Sequence, residues 1–195
     1  MKLQVIVGST RPGRTTDRVA KWVAETAKKL PNTEVELVDL RDYDMPLFNE
    51  EISPRYNPER KPEAVVQKWM DKITEGDAYV FVTPEYNHST SGVLKNSFDY
   101  LTFQLLRKPT SIVSHGTVGG ARAAMHLREI LSEARSVVIP TAVAFAGAGQ
   151  SIDEDGVLDE EATNRPYGPQ TALDGLLSEL TWYSDALSAA RANEA

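Results

Sequence analysis

The stretch GSTRPGRTTD, residues 8–17, sets two glycines, four hydroxyl side chains and two arginines between a short apolar run and an amphipathic one. Small and hydroxylated residues at a strand-to-helix turn offer backbone N–H groups and the positive end of a helix to an anion. Gly8 followed by Gly13-Arg14-Thr15 matches a Walker A loop, except that arginine stands where lysine should be. A triphosphate loop needs the compact ammonium of lysine along the β- and γ-phosphates and a strand-terminal aspartate for magnesium. Arginine is a planar fork and no equivalent. The run ending in Thr83-Pro84 carries no aspartate, and Asp39 in VELVD, 35–39, belongs to the second run. A single terminal phosphate fits better: Ser9, Thr15 and Thr16 donate hydroxyl bonds, and Arg11 and Arg14 add charge-assisted ones. The alternative is that both arginines are solvated loop charges. Asp17 suits a helix start and is expected to face away from the phosphate.

Two further loops have similar composition: TPEYNHSTSG, 83–92, and SHGTVGG, 114–120. The first offers backbone donors, an aromatic face and an amide in one place. In the second, Gly116, Gly119 and Gly120 lack a Cβ, so backbone can approach a flat ring; a flexible helix-start loop is the plainer reading. His88, His115 and His126 are the only histidines. They are too few and too scattered for a metal site, so none is expected. His88 or His115 either donates a proton to a reduced acceptor or forms part of a polar rim, and His126 falls on a helix. No G-x-S-x-G elbow occurs, which sets hydrolysis aside. SIDEDG, 151–156, opens on serine and has Ala162 at position twelve of a calcium loop, so it reads as an acidic turn.

These loops must be held by the elements around them. LQVIV (3–7), VELVD (35–39), AYVFV (78–82), TSIVS (110–114) and SVVIP (136–140) are short, apolar and β-branched, and helical spacing lies between them, as at Val19, Trp22, Val23, Ala27 and Leu30. Strand–helix alternation predicts parallel strands with right-handed crossovers and helices on both faces. If the first, third and fourth strands are neighbours, the three loops share one crevice at the carboxyl edge of the sheet. Leu173, Leu176, Leu177, Leu180, Tyr183, Leu187 and Ala190 predict a long C-terminal helix. Two connections, 41–62 and 146–169, read as irregular, and loops of that length are functional or disordered. The first, with Met45, Leu47, Phe48 and Tyr56, suits an arm against a partner subunit as well as it suits an ordered surface loop.

The 195 residues, 41% of them apolar, fit one domain, 1–195, with a real core. A net charge of −7 without a dense basic run makes nucleic acid a poor partner. The absence of cysteine excludes disulfides and thiolate catalysis and fits a cytoplasmic setting. MKLQVIVGS is too short an apolar run for a signal peptide or span, so no membrane partner is expected.

PEYNHSTSGVLKNSFDYL, together with GSTRPGR, SHGTVGGARAAMHLREIL and the closing LLSELTWYSDAL, resembles the NADPH-dependent FMN reductase family over nearly the whole chain. The resemblance implies a flavodoxin-like α/β three-layer sandwich, a five-stranded parallel sheet in the order 2-1-3-4-5, with FMN as cofactor. It implies that Ser9 and Arg11, with groups near Thr15 and Thr16, hold the FMN phosphate. It also implies that Pro84, Glu85, Tyr86 and Asn87 line the isoalloxazine, with Ser114, His115, Gly116, Gly119 and Gly120 on its other side. Relatives have Ser and Asn where this chain has Arg14 and Thr16, so Arg14 either replaces a neutral donor or lies outside the site. The implied activity is hydride transfer from NADPH or NADH to FMN, then electron transfer to free flavin, a quinone, an azo compound or a metal oxyanion. No side chain is singled out as an essential acid or base. The resemblance further implies a homodimer or homotetramer, with residues 43–60 as candidate arm. The competing readings are a non-enzymatic flavodoxin-like electron carrier and a nucleotide-dependent transferase using GSTRPGRT.

Overall fold

The computed structural model describes residues 1–57 and 59–193. Its strands are β1 (Lys2–Val7), β2 (Glu34–Asp39), β3 (Ala78–Pro84), β4 (Pro109–Gly116), β5 (Val137–Val138) and β6 (Val143–Ala146). The helices are α1 (Thr16–Ala27), α2 (Ala64–Glu75), α3 (Gly92–Asp99), α4 (Ala121–Glu133), α5 (Ala148–Ser151), α6 (Glu160–Asn164) and α7 (Pro169–Ala192). All strand pairings are parallel, in the order β2-β1-β3-β4-β5, with β6 also on β4.

β3 is buried at every position and β1 at all but its first, which is why their sequences run apolar without alternation. Successive side chains still go to opposite faces. Val80 and Val82 join Val5, Val7, α1 and α7 on one side, whereas Tyr79 and Phe81 join Ile6, α2, α3 and α4 on the other. α1 contributes Val19, Trp22, Val23 and Ala27 to the first core, and α7 adds Leu173, Leu176, Leu177 and Leu180. Burying each such side chain stabilises the fold by about 1.5–3 kcal/mol, which outweighs the weaker local preferences of the helices.

The predicted fifth strand, 136–140, is only partly a strand. Val137 and Val138 pair with Pro109 and Thr110, after which the ladder is interrupted at Pro140 and resumes where Val143–Ala146 pair with Val113–Gly116. Proline lacks an N–H for the ladder. The 146–169 connection is also more ordered than its composition suggested, containing α5, α6 and a bridge between Ile152 and Leu158. Segment 41–62, apart from Pro58, which lies outside the described residues, lies against its own chain. Phe48 N–H donates to Asn96 Oδ1 (2.8 Å), and Asn96 Nδ2 and Tyr100 OH donate to the Pro46 carbonyl (2.8 and 3.1 Å). Arg60 pairs with Glu50 and donates to the Tyr100 carbonyl at 2.5 Å. At the β2 side of the sheet, Lys2 and Lys72 alternate with Glu36 and Glu75 in an ionic ladder, with contacts of 2.6–3.4 Å.

Candidate functional site

Because β1, β3 and β4 are adjacent, the loops that follow them emerge side by side. Gly8 leaves β1 with its N–H on the Val82 carbonyl at 2.9 Å, and a Cβ there would lie 2.5 Å from that oxygen and 2.8 Å from Leu94 Cδ2. Only glycine lets the first loop turn this close to β3. Ser91 locks the same corner: its hydroxyl donates to the Gly8 carbonyl (2.5 Å) and accepts from Leu94 N–H (3.2 Å), capping α3.

In the first loop, Ser9 is buried with its hydroxyl 2.9 Å from Tyr86 OH, which ties this loop to the one after β3. Arg11 is exposed and, among the described residues, its guanidinium has no hydrogen-bond partner. Thr15 at the N-cap makes no side-chain cap bond, and with the Arg18 N–H taken by Asp17 the first-turn N–H groups of Thr16 and Asp17 remain available to an anion. Asp17 lies on the helix shoulder, accepting from Arg18 N–H (3.0 Å) with Arg14 Nε at 3.9 Å.

Arg14 departs from the phosphate contact expected of it. Its side chain is 3% exposed, and the guanidinium forks onto both carboxylate oxygens of Asp39 while Nη1 also donates to the Ser9 carbonyl. The fork faces the protein because Asp39, at the end of the neighbouring β2, supplies a fixed anion at bidentate spacing. Burial pushes the Asp39 carboxyl upward, yet the hydrogen bonds from Arg14 and from Arg41 N–H, with the charge of both arginines, hold it below the usual carboxylate range. This occupation of the arginine also disposes of the Walker-type reading, since neither Arg14 nor Asp39 is free for a triphosphate or its metal.

The second loop turns tightly. Tyr86 and Ser89 exchange backbone bonds of 2.9 and 3.0 Å, with Asn87 at φ 49 and His88 at φ 68, as a type I′ turn requires. Asn87 and His88 are exposed, and His88 is the polar rim residue. Pro84 ends β3 opposite His115, and Glu85 N–H donates to the His115 carbonyl at 3.1 Å. The Glu85 carboxylate turns toward α4, accepting from Arg122 Nη1 (2.6 Å) and Arg122 N–H (3.1 Å). Those bonds hold it below the usual carboxylate range. Glu85 thus serves the crevice through its backbone and caps α4 with its side chain.

In the third loop, Ser114 is buried and its hydroxyl closes the turn onto the Gly119 carbonyl at 2.8 Å. Gly119 and Gly120 have φ of 76 and 73, and a Cβ on Gly120 would lie 2.9 Å from His115 N and O. His115 is no rim residue. It is 7% exposed, with Nε2 3.0 Å from Thr16 Oγ1, and burial pushes its pKa down to about 4, against a small opposing pull from Asp17. It is therefore a neutral imidazole near pH 7.

Sequence reasoning missed several contributors. Thr15, His115 and Gly116 border a cavity of about 420 Å³ whose far wall is Gly147–Gln150. That wall follows β6, the strand displaced by the break at Pro140, and its small residues were the available signal. Arg41 was also missed: Nη2 donates to the Arg11 carbonyl (2.8 Å) and Nε to that of Thr10 (3.4 Å). Among the described residues no cluster of metal-ligating side chains occurs, and no helix is long and apolar enough to cross a membrane.

An uncapped helix start with hydroxyls and a free arginine suits a phosphate monoester. The adjoining turns, presenting backbone and a glycine-lined approach, suit a flat heterocycle joined to it. Comparisons with known proteins agree. Residues 1–150 match the family model for NADPH-dependent FMN reductase. The chain is 34% identical over 170 residues to the NAD(P)H-dependent FMN reductase ntnL of Nectria sp, covering 83% of this chain and 85% of that one. It is 36% identical over 165 residues to an NADPH azoreductase of Bacillus sp. (strain OY1-2), covering 83% and 84%. In structure it resembles FerB, a flavoenzyme NAD(P)H:(acceptor) oxidoreductase from Paracoccus denitrificans, with a TM-score of 0.72 at 24% identity over 95% and 97% of the two chains.

Proposed function

The chain belongs to the NADPH-dependent FMN reductase family, and from that membership we propose the acceptor, site and assembly of this NAD(P)H-dependent flavin oxidoreductase. Its acceptor is a small aromatic molecule, a quinone or an azo compound, ahead of free flavin or a metal oxyanion. The azoreductase relative supports that choice. Residues 1–195 act as one flavodoxin-like FMN-binding domain in the cytoplasm, as a homodimer or homotetramer whose second copy covers the open crevice.

Bound FMN supplies the hydride acceptor and electron store for the reaction. Ser9, Thr15, Thr16, the first-turn amides of α1 and the unpaired guanidinium of Arg11 hold its phosphate. The backbone of Pro84–Asn87 and the glycines 116, 119 and 120 flank its ring, with Tyr86 bracing Ser9. Of the 84–88 turn, Pro84 has no N–H and those of Glu85 and Tyr86 are taken by the His115 and Ser89 carbonyls, so the N–H groups of Asn87 and His88 stabilise negative charge at the polar edge of the ring. His115, neutral and hydrogen-bonded to Thr16, fixes that hydroxyl, and no side chain serves as an essential acid or base.

The observation that carries this reading is the convergence of three loops at one rim, beside an α1 start that no side chain caps. Purified protein mixed with FMN should show a protein-bound flavin spectrum that bleaches on anaerobic NADPH addition and returns with menadione. A protein that leaves FMN free in solution refutes the site, and one that binds FMN without bleaching refutes the donor.

A further inference from the structure

Four consecutive carbonyls of the first loop are tied down. The Gly8 oxygen accepts from Ser91 Oγ, the Ser9 oxygen from Arg14 Nη1, the Thr10 oxygen from Arg41 Nε and the Arg11 oxygen from Arg41 Nη2. In a trans peptide the C=O of one residue and the N–H of the next point in opposite directions. Pulling the carbonyls of Ser9 and Thr10 toward the arginines therefore turns the N–H groups of Thr10 and Arg11 the other way. Arg11 N–H donates a long bond to Ser9 Oγ (3.4 Å), which in turn meets Tyr86 OH, so this amide faces the side where the loops converge, and among the described residues Thr10 N–H has no hydrogen-bond partner. Pro12 follows and has no N–H to orient.

Both arginines are organised by one carboxylate. Asp39 Oδ1 accepts from Arg14 Nη1 (2.8 Å) and from Arg41 N–H (2.9 Å), while Oδ2 accepts from Arg14 Nη2. The first contact aims the buried fork at the Ser9 carbonyl. The second fixes the turn Leu40–Asp42 from which the Arg41 side chain reaches back over Thr10 and Arg11.

We propose that Asp39 is a positioning residue for the phosphate of the flavin: through Arg14 and Arg41 it turns the amides of the first loop toward the anion without touching it. The inference rests on that loop being the phosphate site. It gives the arginine that replaces the Walker lysine a part in anion binding that needs no contact with the anion. A carboxylate close to a phosphate site would by itself repel the ligand. Here its charge is matched by Arg14, which leaves Arg11 and the α1 terminus to face the dianion.

The test compares FMN with riboflavin, which has the same ring and no phosphate. Dissociation constants come from quenching of flavin fluorescence, and thermal melting of the flavin-free protein is recorded beside them. Wild-type protein should bind FMN far more tightly than riboflavin. Asp39→Asn should weaken FMN by about tenfold or more, the scale of a lost charge-assisted bond, with riboflavin changed by less than about twofold. Arg41→Ala, at an exposed position that leaves the Arg14–Asp39 pair intact, should lower the FMN preference in the same direction and by less. Arg41→Lys should restore part of it. The proposal is overturned if both Asp39→Asn and Arg41→Ala keep the wild-type preference, or if they weaken the two flavins equally, which is a structural effect only. If Asp39→Asn does not fold, Arg41→Ala and Arg41→Lys decide alone. A wild-type protein that binds FMN and riboflavin alike refutes the phosphate loop itself, a result distinct from either.

Discussion

His115 and Arg14 show how much a single side chain's role depends on where its neighbours stand. The imidazole takes a proton near pH 6.5 in the unfolded chain and only at about 4 in the native one. Between those values the unfolded state binds more protons. Stability is therefore complete above about pH 6.5 and falls as the pH drops through that window, by on the order of 3 kcal/mol at most. Thermal melting of the wild type and His115→Gln between pH 7 and 4 should show a shallower decline in the variant; parallel curves would place the imidazole outside this linkage. The presence of His115 in a crevice loop was legible in SHGTVGG, but its burial under Thr16 was not, because no spacing rule links positions 16 and 115. Arg14 is a similar case. Its place in the loop could be read from the glycines around it, whereas its direction depended on Asp39, brought alongside only once β2 pairs with β1.

At the scale of elements, β1, β3 and β4 were legible because two-sided burial forces an apolar run and the edge strand β2 because its apolar residues are β-branched or alternate with acids, whereas the fifth was misread because Pro140 interrupts the ladder inside an apolar run. The short helices after β6 escaped because four or five residues carry no helical period. The tightest joint is where β1 meets β3 and α3. Gly8→Ala would put a methyl against the Val82 carbonyl and Leu94, and the carbonyl belongs to a ladder strand that cannot yield. The substitution should cost about 1–3 kcal/mol, seen as a lower melting temperature, and should weaken FMN binding because the Ser91 bond to the Gly8 carbonyl shifts with it. An unchanged melting curve would mean that β1 and β3 separate more easily than their register suggests.

For the molecule as a whole, exposed apolar side chains occur on several elements, and some are on or beside the segments that build the crevice: Leu47 is 82% exposed, Met125 of α4 67%, and Val93 of α3 and Val118 of the third loop are also accessible. Light scattering coupled to gel filtration should give the mass of a dimer or tetramer with FMN bound, and Met125→Glu should reduce it. A wild-type monomer at micromolar concentration with flavin bound would leave the crevice uncovered and remove the assembly from the proposed function. The arm was legible as a proline-rich segment. Its docking on its own α3 was not, since that depends on Asn96 and Tyr100 meeting the Pro46 carbonyl.

The ionic ladder that joins β1, β2 and α2 bears on how the outer strand is held. An uncovered outer strand invites another chain to extend the sheet, and charged side chains on that strand discourage the addition. Glu34, Glu36 and Asp39 put charge on β2 itself, with Glu36 fastened by Lys2 of β1 and Lys72 of α2, while the opposite flank is divided into strands of two and four residues that offer a newcomer little continuous backbone. Both margins therefore disfavour extension of the sheet by another chain.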